Sequence, residues 1–303
     1  MAFASQRDIR HALDWGSLAP LRLRSRLAAQ GVYAGSHKSA RRGSGIEFGG
    51  HREYAPGDDL RWLDRRSLLR HDRLLVRQFE TETDRALRLV VDATGSMAYR
   101  GAKAPGAKLA FAALVAAALG RVSLGNGDPV GLAFIGGRSA TPVPVSSGRE
   151  AFERVLGALE SIEPGGEARA DVAMLDRALG ALSRSARRGS VVVVLSDLLD
   201  LPEIAADRIS AIAMRGRTVI VVRVLDPDEE TLPFDGAVRL KSMEGEFVVE
   251  TDPAATRDGY VAALDALRAR WDAALVRRGG SLVLASTADD PVRVVRAILA
   301  AAR

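Results

Sequence analysis

The sequence predicts an α/β fold, a Rossmann-like arrangement with a mostly parallel central sheet flanked by helices. Three observations predict it. First, "SVVVVLSD" (190–197) and "TVIVVRVL" (218–225) are short runs rich in β-branched apolar residues without polar alternation, as strands covered on both faces are. Second, segments with helical spacing of apolar residues alternate with such runs, which implies right-handed crossovers and parallel pairing. Third, 47% of the 303 residues are apolar but only 5% aromatic, so the chain can bury a sizeable core and that core is aliphatic.

In chain order, "ALRLVVD" (86–92) reads as the first strand of the main domain and 106–123 as a strongly apolar helix. "PVGLAFIG" (129–136) is a second strand, and the prolines of "ATPVPVS" (140–146) mark a short edge strand. Helices are expected over 149–162 and 171–186, then the strand at 190–197, a helix at 202–215 and the strand at 218–225. Residues 226–250 interrupt the alternation with a β-hairpin around Glu244 and Gly245. A helix at 256–277, the strand "SLVLAS" and a helix at 290–302 complete residues 86–303. Residues 1–85 differ: a basic helix over about 5–29 precedes a Gly/Ser-rich stretch and "HREYAPGDDLRWLDRR", a segment expected to pack on the main domain.

Composition excludes several classes. With no cysteine there is no disulfide, thiolate metal site or thiol nucleophile, which suits a reducing cytosol. The longest uncharged apolar run, Leu109 to Gly120, is short of the roughly 20 residues of a membrane span. The N-terminal residues carry charges throughout and lack a signal-peptide core, so a cytoplasmic protein without a membrane span is expected. Residues 1–85 hold 16 Lys and Arg against 11 Asp and Glu, the whole net charge of +5, while the rest of the chain carries 27 of each. Arginines interleave with acids there, as in ion-paired structure rather than a phosphate track, so no nucleic-acid partner is expected. His11, His37, His51 and His71 show no zinc-site spacing.

The candidate site lies where the strands end, because ligands of open parallel sheets collect outside the carboxyl ends. One strand ends at Asp92 and continues through Thr94 and Ser96; another ends at Ser196 and Asp197. Hard oxygen donors of this kind suit Mg²⁺, which uses one or two carboxylates and keeps several waters. The alternative is that Asp92 and Asp197 only cap the turns that follow them.

In the N-terminal region, Pro56-Gly57 signals a turn, with Asp58 and Asp59 placed to accept backbone N–H groups and Arg52 and Arg61 flanking them. With Tyr54 these residues make either a partner-binding loop or a structural turn tying the segment to the sheet, and the structural turn is the preferred reading.

The runs "GSGIEFGGHREYAPGDDLRWLD", "LLVRQFETE" and "LVVDATGSM" resemble the bacterial family called domain of unknown function 58, DUF58, over roughly residues 30–225. The resemblance implies a von Willebrand factor type A-like domain with a metal-ion-dependent adhesion site that takes Mg²⁺ or Mn²⁺. By position Asp92, Thr94 and Ser96 match its D-x-S-x-S motif, Thr standing for the first Ser, and Asp197 matches the third-loop aspartate. Glu167 of "GGEARAD" stands where relatives carry threonine, as an added acidic ligand or as the mark of a degenerate site. The family also implies a partnership with MoxR-type AAA+ ATPases or their client proteins. Many relatives carry two N-terminal membrane helices that this sequence lacks.

The leading expectation is therefore a non-enzymatic protein-interaction module. A metal-dependent phosphoesterase with Asp92 as nucleophile is the alternative, weakened because Thr94 stands where the general acid belongs. There is no P-loop and no G-x-S-x-G elbow.

Overall fold

The computed structural model describes residues 9–13, 15–18, 42–54, 74–80, 85–169, 171–214, 216–243 and 248–302. Ahead of the main sheet come a one-turn helix α1 (Ile9–Ala12), a 3-10 turn Trp15–Leu18, and an antiparallel pair, β1 (Arg42–Glu53) and β2 (Leu75–Glu80). Of the helix expected over about 5–29, residues 9–12 are helical and 15–18 form a 3-10 turn, while residues 5–8, 14 and 19–29 lie outside the described residues. Trp15 donates from Nε1 to the Arg10 carbonyl at 3.0 Å and meets Phe152 edge-on at 5.6 Å. Ile9, Ala12, Leu13 and Leu18 share the main core, and Arg10 pairs with Glu153 and Glu160 at 2.8 and 2.9 Å.

The apolar runs form strands as expected: β3 (Leu87–Ala93), β4 (Val130–Gly136), the antiparallel edge strand β5 (Val143–Ser146), β6 (Val191–Ser196) and β7 (Thr218–Leu225). Between them lie α2 (Lys108–Gly125), α3 (Arg149–Ser161), α4 (Val172–Ser185) and α5 (Ala205–Ala211). After β7 a short helix α6 (Pro227–Thr231) precedes the hairpin β8 (Val238–Lys241) and β9 (Val248–Thr251). Asp226 imposes that unexpected helix, because its side chain and that of Glu229 form a reciprocal capping box with Pro227 at the first position. Residues 244–247, where the hairpin turn was expected, lie outside the described residues. Helix α7 (Pro253–Val276), strand β10 (Ser281–Ser286) and helix α8 (Pro291–Ala301) complete the domain.

The six-stranded sheet has the order β10-β7-β6-β3-β4-β5, all parallel except β5, and this is the expected Rossmann-like, von Willebrand factor A-type architecture. Side chains alternate by face. Leu89, Val193 and Val222 join the core under α2, α3 and α8, whereas Val90, Val194 and Val221 join the core under α4, α5 and α7. Helix α2 is buried nearly all round, as its uniformly apolar sequence requires. It is the one helix among the described residues long and apolar enough to cross a bilayer, yet 83% of it lies inside the fold. Phe111 and Leu114 alone contribute about 1.5–3 kcal/mol each by leaving water.

Chain direction decides where the site falls. From β3 the chain crosses to β4 on one side, then returns to β6 on the other, so the strand order reverses beside β3. The carboxyl ends of β3 and β6 flank that switch point, the place where open α/β sheets bind their ligands.

Candidate functional site

Asp92 is the penultimate residue of β3 and is 1% exposed. Its Oδ1 accepts from the Thr94 N–H at 3.0 Å and the Thr94 hydroxyl at 2.7 Å, while Oδ2 accepts from the Ser196 hydroxyl at 2.6 Å. Thr94 gives its only hydroxyl proton to Asp92, so in its 3.3 Å contact with Ser96 the Ser96 hydroxyl is the donor. Among the described residues Asp92 makes no ion pair. Burial, then the repulsion of Asp197, push its carboxyl up to about 7 against the pull of its three donors.

Asp197, also 1% exposed, has a different environment. Its Oδ1 accepts from the Leu199 N–H at 3.0 Å, and its Oδ2 accepts from Lys108 Nζ at 2.7 Å. Lys108 is the first residue of α2, has no exposed surface, and donates also to Glu229 Oε1 at 2.5 Å. Burial alone would lower this amine, but Asp197 and Glu229 outweigh it and hold it above the ordinary lysine range. The Tyr99 ring lies 5.9 Å from the ammonium and adds a cation–π contact.

Helix α6 organises both halves. Asp226 Oδ2 accepts from the Gly101 N–H at 2.8 Å and Asp228 Oδ2 from the Ala102 N–H at 3.2 Å, latching the loop that follows Ser96, while Glu229 holds Lys108. A Cβ at Gly101 would stand 2.2 Å from Asp226 Oδ1, so only glycine fits. The acids around the loop also push Tyr99 up to about 12, burial acting first and Asp228, Asp226 and Glu229 after it.

The second loop is stitched in by its backbone. Gly95 donates to the Gly166 carbonyl at 3.1 Å and Gly165 to the Ala93 carbonyl at 2.8 Å; Gly166 has φ +92°, which glycine supplies without strain. Glu167 follows at the exposed rim, and its charge reaches Asp200, whose carboxyl is raised by burial, then by Asp197, and in smaller part by Glu167.

Of the residues expected at the site, Asp92, Thr94 and Ser96 form one connected group, Asp197 is bound to Lys108, and Glu167 stands at the rim. Asp92 and Asp197 do each bind a local N–H, as a capping role requires, but the second oxygen of each is engaged across the fold. Asp58, Asp59 and Arg61 lie outside the described residues; Arg52 falls in β1, and Tyr54 donates its N–H to the Leu74 carbonyl at 2.8 Å, closing the β1–β2 pair. Sequence reasoning missed Lys108, Ser196 as a donor, Asp226, Asp228 and Glu229. Asp226 was findable by the rule that found the others, since an aspartate directly follows β7 as well; Lys108 was signalled as the charge that opens an apolar helix.

The donor set of the Asp92 half fits a small divalent cation. A buried carboxylate that makes no ion pair among the described residues sits beside two hydroxyl oxygens 3.3 Å apart, near the about 3 Å between neighbouring ligands on 2.0–2.1 Å bonds. No group of three or more His, Cys, Asp or Glu side chains among the described residues forms a carboxylate-rich centre, so water would supply the remaining ligands. An acid two residues beyond Asp92, which phosphoryl chemistry would use, is replaced by Thr94, whose proton is committed to Asp92.

The family described as "Protein of unknown function DUF58" matches residues 50–270. An uncharacterized protein of Mycobacterium tuberculosis (strain ATCC 25618 / H37Rv) is 34% identical over 278 residues, covering 90% of this chain and 84% of that protein. Among solved structures, an aerotolerance-related membrane protein from Bacteroides fragilis is 18% identical with a TM-score of 0.45, covering 72% of this chain and 98% of that one. A von Willebrand factor type A protein from Catenulispora acidiphila is 14% identical with a TM-score of 0.37, covering 75% of this chain and 43% of that one. The description of the Bacteroides fragilis chain as a membrane protein overturns the expected cytoplasmic location. That expectation rested on seeing no signal-peptide core and no long apolar run in the sequence, and such an absence assigns no compartment.

Proposed function

The chain belongs to the DUF58 family, and on that premise we propose that it is a non-enzymatic protein-interaction module that docks partners at the carboxyl ends of β3 and β6. The observation that carries this reading is the buried Asp92, which has hydroxyl donors, no ionic partner among the described residues, and Thr94 where a general acid would stand. Asp92, Thr94 and Ser96 would hold a Mg²⁺ or Mn²⁺ ion. When bound, such an ion supplies a position that a partner's Asp or Glu carboxylate can complete, a strong attraction in a partly dried interface. The latch from Asp226 and Asp228 keeps the motif loop in place before the partner arrives, so little ordering entropy remains for binding to overcome. The partner we propose is a MoxR-type AAA+ ATPase or a protein it remodels, which rests on family membership alone.

Calorimetric titration of Mg²⁺ and Mn²⁺ tests the ion, and co-purification with a MoxR-type ATPase from the same genome, in Mg²⁺ and in EDTA, tests the partner. Saturable ion binding lost in Asp92→Ala, with partner capture that EDTA abolishes, is the expected result. No binding at millimolar cation would sink the metal-dependent form of the proposal, and capture indifferent to both EDTA and Asp92→Ala would move docking away from the strand ends.

A further inference from the structure

We propose that Lys108 is the resident cation of the Asp197 half of the site, so that Asp197 is not a ligand for a divalent ion and any such ion is confined to Asp92, Thr94 and Ser96. The inference rests in part on the preceding reading of the Asp92 half. It begins from how badly Lys108 is placed for any other purpose. A lysine with no exposed surface, opening an apolar helix, has lost its hydration and sits at the positive end of the helix dipole. Only specific compensation keeps a charge there, and the compensation is visible: Asp197 Oδ2 at 2.7 Å, Glu229 Oε1 at 2.5 Å and the Tyr99 face at 5.9 Å.

The arrangement balances the charge of Asp197 inside the protein. One oxygen holds the ammonium and the other the Leu199 N–H, so its negative charge already has a fixed cation beside it. A divalent ion drawn to Asp197 would come within a few ångströms of a fixed positive charge in a water-poor setting, where like charges repel strongly. Asp92 has no such guard, since all three of its partners are uncharged donors. Lys108 also joins the loop after β6 to α6, and α6 latches the loop after Ser96, so the two loops keep their relative position whether or not an ion is bound. Lys108 thus acts as a positioning residue and as an electrostatic partition between the two carboxylates.

Mn²⁺ binding to the full chain, followed by calorimetry and by the Mn²⁺-induced change in melting temperature, tests this. Asp197→Asn should retain the Mn²⁺ affinity of the wild type, whereas Asp92→Asn should lose at least about 100-fold, more than outer-shell changes typically cost. Lys108→Gln frees two carboxylates and should gain an additional Mn²⁺ site, seen as a larger Mn²⁺-induced rise in melting temperature that Asp197→Asn removes in the double variant. Asp197→Asn weakening Mn²⁺ as much as Asp92→Asn, or a folded Lys108→Gln binding no more Mn²⁺ than the wild type, would overturn the proposal. If the wild type binds no Mn²⁺, the reading of the Asp92 half falls, but an Asp197-dependent gain in Lys108→Gln still supports the role of Lys108, and no gain still refutes it. Should Lys108→Gln not fold, the neutralised triple Lys108→Met, Asp197→Asn, Glu229→Gln decides in EDTA: recovery of folding supports a charge partnership, and continued failure to fold refutes it.

Discussion

Asp92 and Asp197 end adjacent strands, are equally buried and each accept a local N–H, yet one is held by hydroxyls and the other by a lysine. Hydroxyl donors satisfy a carboxylate without cancelling its charge, so Asp92 remains a source of negative potential. An ammonium cancels it, so Asp197 becomes a strut. The difference teaches that a metal-site motif read from strand ends does not by itself say which carboxylates are available; their partners across the fold do.

The sharpest way to break the comparison is to make the same substitution at both positions in EDTA. Asp197→Asn should cost about 3 kcal/mol in urea unfolding, the low end for breaking a buried pair because Glu229 still faces Lys108. Asp92→Asn should cost less, about 1 kcal/mol or under, since it removes a buried charge that makes no ion pair among the described residues but turns an amide NH₂ toward one of its hydroxyl donors. Equal losses at both would erase the distinction. Gly101→Ala should cost about 2–3 kcal/mol by overpacking against Asp226 and Asp228, and calorimetric melting checks it; an unchanged melting temperature would mean that the latch is not rigid. Ser196→Ala should cost about 1–2 kcal/mol, because Asp92 Oδ2 loses its donor and the Leu198 N–H loses its acceptor at 3.0 Å.

The smallest effect is expected at the opposite edge of the sheet, where Asp128 precedes β4. Burial pushes its carboxyl up to about 6, opposed by Arg85. A carboxyl raised on folding favours the folded state fully below its unfolded pKa, about 4, and loses that advantage as pH rises through about 6. Asp128→Asn should therefore raise stability at pH 7.5 by about 1 kcal/mol, discounted for its partial exposure, and leave it unchanged at pH 4. Unfolding free energies at the two pH values measure this, and a gain of equal size at both would rule out titration as the cause.

Much of the fold was legible because its signals are local. A run such as Val191–Leu195 has one way to bury every side chain, as a strand covered on both faces, and the helices between such runs follow from apolar spacing. The edge-on contact of Trp15 with Phe152 had no local signal, because the partner lies far along the chain. The helix α6 was missed because a four-residue capping signal was read as part of a hairpin. At the site, Asp92, Thr94 and Ser96 were readable together because five consecutive residues at a strand end suffice to bring them into contact.

By itself, then, the sequence determined the alternation of strands and helices, the aliphatic core and the motif loop at the end of β3. These depend on residues a few positions apart, where backbone periodicity alone sets which side chains meet. Only the tertiary structure decided that Asp197 is neutralised and Asp92 is not. Lys108 lies 89 positions from Asp197 and 121 from Glu229, and the latch from Asp226 to Gly101 spans 125. No local pattern relates residues so far apart; the crossovers of the sheet bring them to one edge, and at that edge charge pairing is settled by distance in space.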